Sequence, residues 1–575
     1  MLSMKTLCRR GTALCLTALM LCTAALAAEP AEKDRTAQRL EDLEFLYQTV
    51  LVENHPNAFA NTPEAEFQAL KKDIESRLET ADDAAFLLDL MRLTALVGDS
   101  HTSINGIGNL AEHLTYYPLS MTLRDGAWYI ATVPAERKTA LGRKVTAVNG
   151  HSMGEILETF TPLFSADNAV IAARRYRQYC QLADMYVYLG LAKAGDPIVL
   201  SLDSGGPLTL APVDYAALRS MKLAYLSDRI PQEPSTAQRD AYYFAEPLTD
   251  STFYIQYNTC SEAEDLSMAE FAARVEALLH AGSYRRILLD LRYNGGGSDG
   301  VIWPLFEVLR SAMNGGTELV GLIGPATFSS ALINAVEIQE MGGVLVGESA
   351  GGSVCHFGAV RGFSLPNSGI RGQLSSKYID LNTLLDAGAG RGVEALEPDV
   401  TIPQTIADTL AGKDTPVDWL LLHPERLTQK SYPDAPLTRG RFVGELYEAA
   451  NSPAVTADVP PFKDSFGIEW YLPALTWAKE SGIAQGGADG MFSAARQLTW
   501  QEAAVFMVRA LEGTSPAAVR TQALPAALTV TPGNRDAVTA AWRWGLLPRN
   551  ADFTEGPTRA HGLAMAQSLS KLLNP

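Results

Sequence analysis

The spacing of hydrophobic positions changes three times along this chain. From about 35 to 98 they recur at helical intervals. Leu43, Leu46, Tyr47 and Val50 share one face, as do Phe67, Leu70, Ile74 and Leu78. Residues 86–97 form a third, more apolar helical stretch that stops at Gly98-Asp99-Ser100-His101. From about 115 to 215 the pattern becomes short strands, such as Trp128-Tyr129-Ile130-Ala131, Lys144-Val145-Thr146-Ala147-Val148 and Pro197-Ile198-Val199-Leu200. Asn149-Gly150 and Gly205-Gly206 supply turns between them. From about 245 to 425 strand-like runs alternate with helical ones, which predicts βαβ units and a mostly parallel sheet. Arg286-Ile287-Leu288-Leu289-Asp290-Leu291 reads as a strand buried on both faces. Leu319-Val320-Gly321-Leu322-Ile323 and Val344-Leu345-Val346-Gly347 are two more, and residues 331–341 fit the helix between them.

Beyond about 430 the pattern repeats. Leu437-Thr438-Arg439-Gly440-Arg441, Leu498-Thr499-Trp500-Gln501-Glu502 and Pro557-Thr558-Arg559-Ala560-His561 are alike. Their threonines, at 438, 499 and 558, stand 61 and 59 residues apart, each before an apolar helical segment that Thr would cap. A second phrase recurs as well: Ala474-Leu475-Thr476-Trp477-Ala478 before Gly482-Ile483 echoes Val538-Thr539-Ala540-Ala541-Trp542 before Gly545-Leu546. Five of the eight Trp (Trp470, Trp477, Trp500, Trp542 and Trp544) lie in this tail, which sets it apart as a separate module.

The first residues follow a different logic. Lys5, Arg9 and Arg10 precede the apolar run 11–25, and Ala25-Leu26-Ala27 is a small-x-small site. Residues 1–27 therefore read as a secretory signal, shorter in its apolar part than the roughly 20 residues a membrane span needs. No other stretch is long and apolar enough to span, so no transmembrane anchor is expected once the signal is removed. The 575 residues are 47% hydrophobic, enough to bury real cores and far from a disordered composition. The formal charge of −18 would become −21 without the three signal cations, which argues against a nucleic-acid partner. Past the signal only Cys180, Cys260 and Cys355 remain. That is an odd, widely spaced set without metal-ligand spacing, expected as buried thiols.

Two segments carry candidate chemistry. In Asp290-Leu291-Arg292-Tyr293-Asn294-Gly295-Gly296-Gly297 a buried strand runs into glycines, whose exposed N–H groups can hold a phosphate or a developing oxyanion. No Lys-Ser/Thr pair follows and GxGxxG is absent, so nucleotide loops are excluded. In Gly324-Pro325-Ala326-Thr327-Phe328-Ser329-Ser330-Ala331 a strand, a turn and a helix place Ser329 at a helix N-terminus. There a serine is either a nucleophile or a cap. A nucleophile needs a base. Of the eight histidines, His101 follows the apolar helix inside Gly98-Asp99-Ser100-His101-Thr102, and His356 follows a glycine pair and is the secondary candidate.

The ordered set Gly-Asp-Ser-His-Thr, Asp-Leu-Arg-x-Asn-Gly-Gly-Gly, Thr-x-Ser-Ser-Ala, Gly-Glu-x-x-Gly-Gly and Glu-Pro-Asp-Val resembles the C-terminal processing peptidases, or tail-specific proteases. The resemblance covers roughly residues 35–405. It implies Ser329 as nucleophile, with Gly295 or Gly296 and the Ser330 N–H as the oxyanion hole. One branch of that family uses a lysine about 25 residues on, where this chain has Gly351-Gly352-Ser353-Val354. The tricorn-core-like branch uses an upstream Ser-His pair and a downstream Glu, and Ser100-His101 matches the pair. The resemblance then implies His101 as general base, with a carboxylate, Glu397 ahead of Glu394, orienting it through Ser100. Leu141-Gly142-Arg143-Lys144-Val145-Thr146-Ala147-Val148-Asn149-Gly150 resembles the central strand and turn of a PDZ domain, which would offer a sheet edge to a peptide. The tail resembles S-layer homology repeats, through Phe462-Lys463-Asp464, Trp477-Ala478, Gly490-Met491-Phe492 and Thr499-Trp500-Gln501-Glu502. Such repeats bind secondary cell-wall polysaccharide, although Trp500 stands for their usual Arg, and Arg441 and His561 for their usual Glu.

These readings give a multidomain α/β chain: a signal (1–27), an N-terminal helical region carrying the His motif (28–112), a PDZ-like β module (113–215), a serine-peptidase core with a mostly parallel sheet (216–428) and helical S-layer homology repeats (429–575). The expected function is a secreted, cell-wall-associated serine endopeptidase acting on a peptide or protein. The alternative is a catalytically inactive peptide- or ligand-binding surface protein on the same fold. No metal or organic cofactor is implied.

Overall fold

A computed structural model describes residues 34–573 apart from 106, 230–239, 382–394, 431–433, 435, 456–460, 464, 466–471, 495 and 512–515. The signal reading and Glu394 lie outside the described residues. What is described is a mixed α/β, multidomain structure with a helical N-terminal region.

The N-terminal helices start where their caps stand. Asp34 accepts from the Thr36 N–H ahead of Arg35–Glu44, which continues more widely wound through Phe45–Asn54. Asp82 accepts from the Ala85 N–H ahead of Asp83–Ala95. Glu64–Glu75 lies between them. The apolar face read from the sequence is buried: Leu43, Leu46, Phe67 and Ile74 are fully covered. These helices share one core with the strands that follow, so the two regions pack as a unit.

Those strands form a seven-stranded antiparallel sheet. Its path runs Leu223–Tyr225, Ala127–Pro134, Lys144–Val148, Ile198–Leu202, Leu208–Leu210; Ser120–Arg124 pairs with Ala127–Pro134, and His151–Ser152 with Lys144–Val148. The stretch 115–215 is not all strand, however. Met153–Phe160, Ala169–Tyr179 and Ala183–Tyr188 are helices. The first begins at a capping box between Ser152 and Glu155, and the second is capped by Asn168. Ile156, Phe160, Tyr176 and Tyr186 then fill the core from that side.

The second sheet has six strands in the order Tyr243–Pro247, Thr252–Tyr257, Arg286–Asp290, Glu318–Ile323, Val344–Gly347, Val400–Thr401. The first pair is antiparallel and all others are parallel. Every residue of Arg286–Asp290 and of Glu318–Ile323 is buried, as a sheet covered on both faces requires. Two separate apolar clusters cover its two faces.

The tail helices Arg439–Ala449, Leu472–Glu480, Trp500–Ala510, Arg535–Arg543 and Arg559–Leu573 enclose a core of their own. Thr438 and Thr499 cap their helices, the latter in a full box with Glu502. At the third site His561 Nδ1 accepts from the Thr558 N–H at 3.1 Å, so an imidazole does there what the Glu502 carboxylate does at Thr499. Cys180, Cys260 and Cys355 are free and buried. No helix among the described residues is long and apolar enough to cross a membrane.

Candidate active site

The strands Arg286–Asp290 and Glu318–Ile323 run parallel, so the loops that follow them emerge at the same sheet edge. The first loop is clamped by Arg292. Its guanidinium contacts Asp290 Oδ1 and Oδ2 at 3.0 and 2.7 Å and Asp414 Oδ1 and Oδ2 at 2.8 and 2.7 Å. Asn294, fully buried, donates to the Tyr257 carbonyl at 3.0 Å and accepts from the Gly296 N–H at 2.9 Å. Gly296 and Gly297 then take φ of +105° and +141°. Only glycine suits these positions: a Cβ on Gly296 would stand 2.7 Å from Ser329 Cβ, and one on Gly297 2.2 Å from the Cys260 carbonyl oxygen.

The second loop carries Ser329. Thr327 ties it to the first, its hydroxyl donating to the Leu291 carbonyl at 2.8 Å. Phe328 N–H donates to the Asn294 carbonyl at 3.1 Å. Ser329 sits at the N-cap of Ser330–Glu340 with φ +56°, a conformation that costs a non-glycine residue about 1–2 kcal/mol. Its side chain makes no capping hydrogen bond. The backbone strain at Ser329 is therefore not offset by a side-chain cap on the helix. The neighbouring Ser330 hydroxyl is engaged, donating to the Gly297 carbonyl at 2.8 Å. Its amide is the first of the helix, one of those a helix leaves without an internal partner.

His101 arrives from another part of the chain, on the loop between Asp83–Ala95 and the short strand Ser103–Ile104. That strand pairs with Arg371–Leu374, and Gln373 Nε2 donates to the His101 carbonyl at 3.0 Å. The His101 ring stacks on Phe328, the residue before Ser329, with centroids 4.3 Å apart, and on His356 at 5.3 Å. It is buried, with the Phe357 backbone beside the ring but no well-formed hydrogen bond to either nitrogen. Burial pushes its pKa down to about 4, helped by His356 and Arg175 and opposed by Asp99, so the ring is neutral at pH 7.

More buried polar atoms cluster here with loose bonding: the Asp167 carboxyl, approached by the Ser100 and Ser353 hydroxyls, and His356 Nε2. His356 Nδ1 contacts the Ser353 carbonyl at 2.7 Å, so Nδ1 carries the hydrogen and Nε2 is an acceptor. Burial, with a contribution from Asp99, pushes the Asp167 carboxyl up to about 7 despite the Ser100 and Ser353 hydroxyls near it. Natural interiors satisfy nearly all such atoms. These loosely satisfied atoms lie around His101, whose ring stacks on both His356 and Phe328.

The structure thus sets Gly296 against Ser329 and the Gly297 carbonyl against the Ser330 hydroxyl, and stacks His101 on Phe328, the residue before Ser329. It does not bring Glu397 to His101, since both Glu397 oxygens accept from Ser349 Oγ at 2.8 Å. Asp399 in the same phrase accepts from the Leu345 and Lys430 N–H groups at 2.8 Å each. The Gly296 N–H is already held by Asn294. Sequence reasoning singled out neither Asp99 nor Asp167. Asp99 stands two residues before His101 inside the quoted motif; Asp167 lies beside the Asn168 cap with no signal of its own.

Residues 461–504 match the family model described as the S-layer homology domain. No curated protein matches the chain. Among solved structures the chain is similar to mature CPAF complexed with lactacystin, at 14% identity and a TM-score of 0.47, covering 68% of this chain and 97% of that one. It is similar to the photosystem II D1 C-terminal processing protease at 14% identity and a TM-score of 0.31, covering 64% and 93%. A lipoprotein from Streptococcus agalactiae matches at 18% identity and a TM-score of 0.21, covering 30% and 70%.

Proposed function

We propose that this chain is an exported, wall-associated serine endopeptidase. The observation that carries the reading is Ser329. Its hydroxyl makes no capping bond on a strained helix N-terminus, one residue after Phe328, on whose ring the buried neutral His101 imidazole stacks. In the proposed reaction His101 takes the Ser329 proton as the oxygen attacks the scissile carbonyl. The amides of Gly295 and Ser330 hold the oxyanion, and Gly296 contributes its missing side chain, which lets the two loops meet. His101 then protonates the leaving amine, and water repeats the cycle in reverse. The motif resemblance assigns the supporting carboxylate to Glu397 or Glu394, and the bond from Ser349 to Glu397 leaves that role open. The antiparallel sheet around Lys144–Val148 is read as the PDZ-like module that takes up an extended peptide. The S-layer homology match supports attachment to cell-wall polysaccharide.

Labelling of the full chain by a fluorophosphonate tests the chemistry. An adduct that disappears in Ser329→Ala is expected; its absence from the wild type would remove the peptidase reading. The second reading, an inactive binding protein on the same fold, is favoured by the bonding of Glu397 to Ser349 and predicts peptide binding with no adduct. Wall association is checked by sedimenting the full chain with purified sacculi, before and after their secondary polymer is extracted. Equal retention in both would count against polysaccharide recognition.

A further inference from the structure

We propose that Asp99, locked from behind by His55, is the carboxylate that orients His101 and stabilises its protonated form. This rests on the peptidase reading and names a residue that reading leaves open.

Asp99 is built to stay an anion in an interior site. Its side chain is fully covered, yet it gathers donors on both oxygens. Oδ2 accepts from Ser375 Oγ at 2.6 Å and faces His55 Nε2 at 3.3 Å; Oδ1 accepts from the His101 N–H at 2.8 Å. The tautomer of His55 follows from its other nitrogen. Nδ1 accepts from the Asn57 N–H at 3.1 Å, so Nε2 carries the hydrogen that points at Asp99. These donors, with Thr102, hold the Asp99 carboxyl below its ordinary range even though burial alone would raise it.

Asp99 is also the acid within reach. Its Oδ1 lies 3.9 Å from His101 Nδ1, and no other described carboxylate oxygen stands within ion-pair distance of that ring. The separation is longer than a hydrogen bond, and catalytic contacts are commonly this loose before substrate arrives. With Nδ1–H directed at Asp99, Nε2 becomes the acceptor for the Ser329 proton. Below pH 7 Asp99 is the anion that faces a charged His101, with the neutral Phe357 backbone as a further favourable contact. Arg175, from the Ala169–Tyr179 helix, is a cation that opposes the new charge. His356, on the strand Cys355–Gly358, opposes it as well. Asp167, which feels the Asp99 charge, is kept protonated by burial below about pH 7. Asp99 is therefore a positioning residue whose anion supplies the counter-charge.

The test uses the full chain in wild-type, Asp99→Asn, His55→Phe, Asp167→Asn, Glu397→Gln and Ser329→Ala forms. Thermal unfolding checks that each is folded, and fluorophosphonate inactivation rates are taken from pH 3.5 to 9. Asp99→Asn is expected to lose about 100-fold or more in rate at pH 7, with the acid limb moved to lower pH because the imidazole has lost its anion. His55→Phe leaves the charge but removes a donor from it. Asp99 then protonates more easily, and the acid limb moves to higher pH. That opposite displacement keeps the proposal testable if Asp99→Asn fails to fold. A loss in Glu397→Gln or Asp167→Asn larger than in Asp99→Asn, or an unmoved limb in both Asp99→Asn and His55→Phe, overturns the proposal. A histidine-selective NMR titration of His101 separates it from the peptidase reading. If the wild type forms no Ser329-dependent adduct, that reading falls, while a lower His101 pKa in Asp99→Asn still supports the pairing and an unchanged one still overturns it.

Discussion

Gly296→Ala tests the construction of the site at one atom. A Cβ there would stand 2.7 Å from Ser329 Cβ, 3.0 Å from the Phe328 carbonyl oxygen and 3.2 Å from Ser329 Oγ. Ordinary contact begins near 3.4 Å, so one loop must retreat by about 0.7 Å. The substitution also forces alanine to φ +105°. Positive φ costs about 1–2 kcal/mol and overpacking about 1–3, so a loss of about 2–5 kcal/mol of stability is expected. The functional effect should be sharper. Displacing a nucleophile by 1 Å costs on the order of 10²-fold in rate, so fluorophosphonate labelling of Ser329 is expected to slow by about 10- to 100-fold. Gly316→Ala is the matched control. Gly316 has φ +100°, but its Cβ would meet nothing within 4 Å, so only the strain is imposed. Urea unfolding and labelling rates are measured on both. If Gly296→Ala labels within about 3-fold of wild type while remaining folded, the two loops do not jointly shape the site and the reasoning is refuted.

Other outcomes can be stated briefly. Arg292→Met strands Asp290 and Asp414 as buried anions and should cost about 3–5 kcal/mol in urea unfolding. Because His101 is held near pKa 4 and acts as a base when neutral, labelling of Ser329 should persist well below pH 6 and fall as pH drops through about 4. Asp167, raised to about 7, favours the folded state below pH 4 and loses that contribution as pH rises through 7. Asp167→Asn should therefore stabilise the chain at pH 8 by about 2–4 kcal/mol and leave it unchanged near pH 4, as differential scanning calorimetry would show. Thr499→Ala removes a full capping box and should lower tail stability by about 1 kcal/mol, read from urea unfolding followed by Trp fluorescence.

Local chemistry made much of this legible in advance. The strands 144–148 and 344–347 coincide with apolar runs bounded by turn residues, and the threonine caps of the tail stand where its repeats place them. The place of Ser329 at a helix N-terminus was legible because strand, turn and helix converge on it within about ten residues. What stayed hidden depends on contacts that spacing cannot express. His55 meets Asp99 across 44 residues, and Ser375 meets it across 276. Asp167 looks like any loop acid until burial raises its pKa. Glu397 follows the motif, but a hydroxyl at Ser349 competes for it. The helices at 153–188 were masked by their position among strands, although Ser152 and Glu155 carry a capping signal.

The anchoring of His101 has a consequence for the order in which the site comes into being. Its loop is fastened by residues 372–375: Ser103 and Ile104 pair with Gln373 and Gly372, the Ser375 N–H reaches Thr102 Oγ1 at 2.9 Å, and its hydroxyl reaches Asp99. Ser329 lies between the base and its fastening. A chain made from its N-terminus therefore displays the histidine first and the serine next, and acquires the clasp that unites them last. Closing a loop of that length costs entropy that only the finished core can offset. A chain ending before residue 372 lacks the paired strand, the Gln373 amide and the Ser375 hydroxyl that fasten the His101 loop, so the histidine and the serine are set in one place only after that segment has been made.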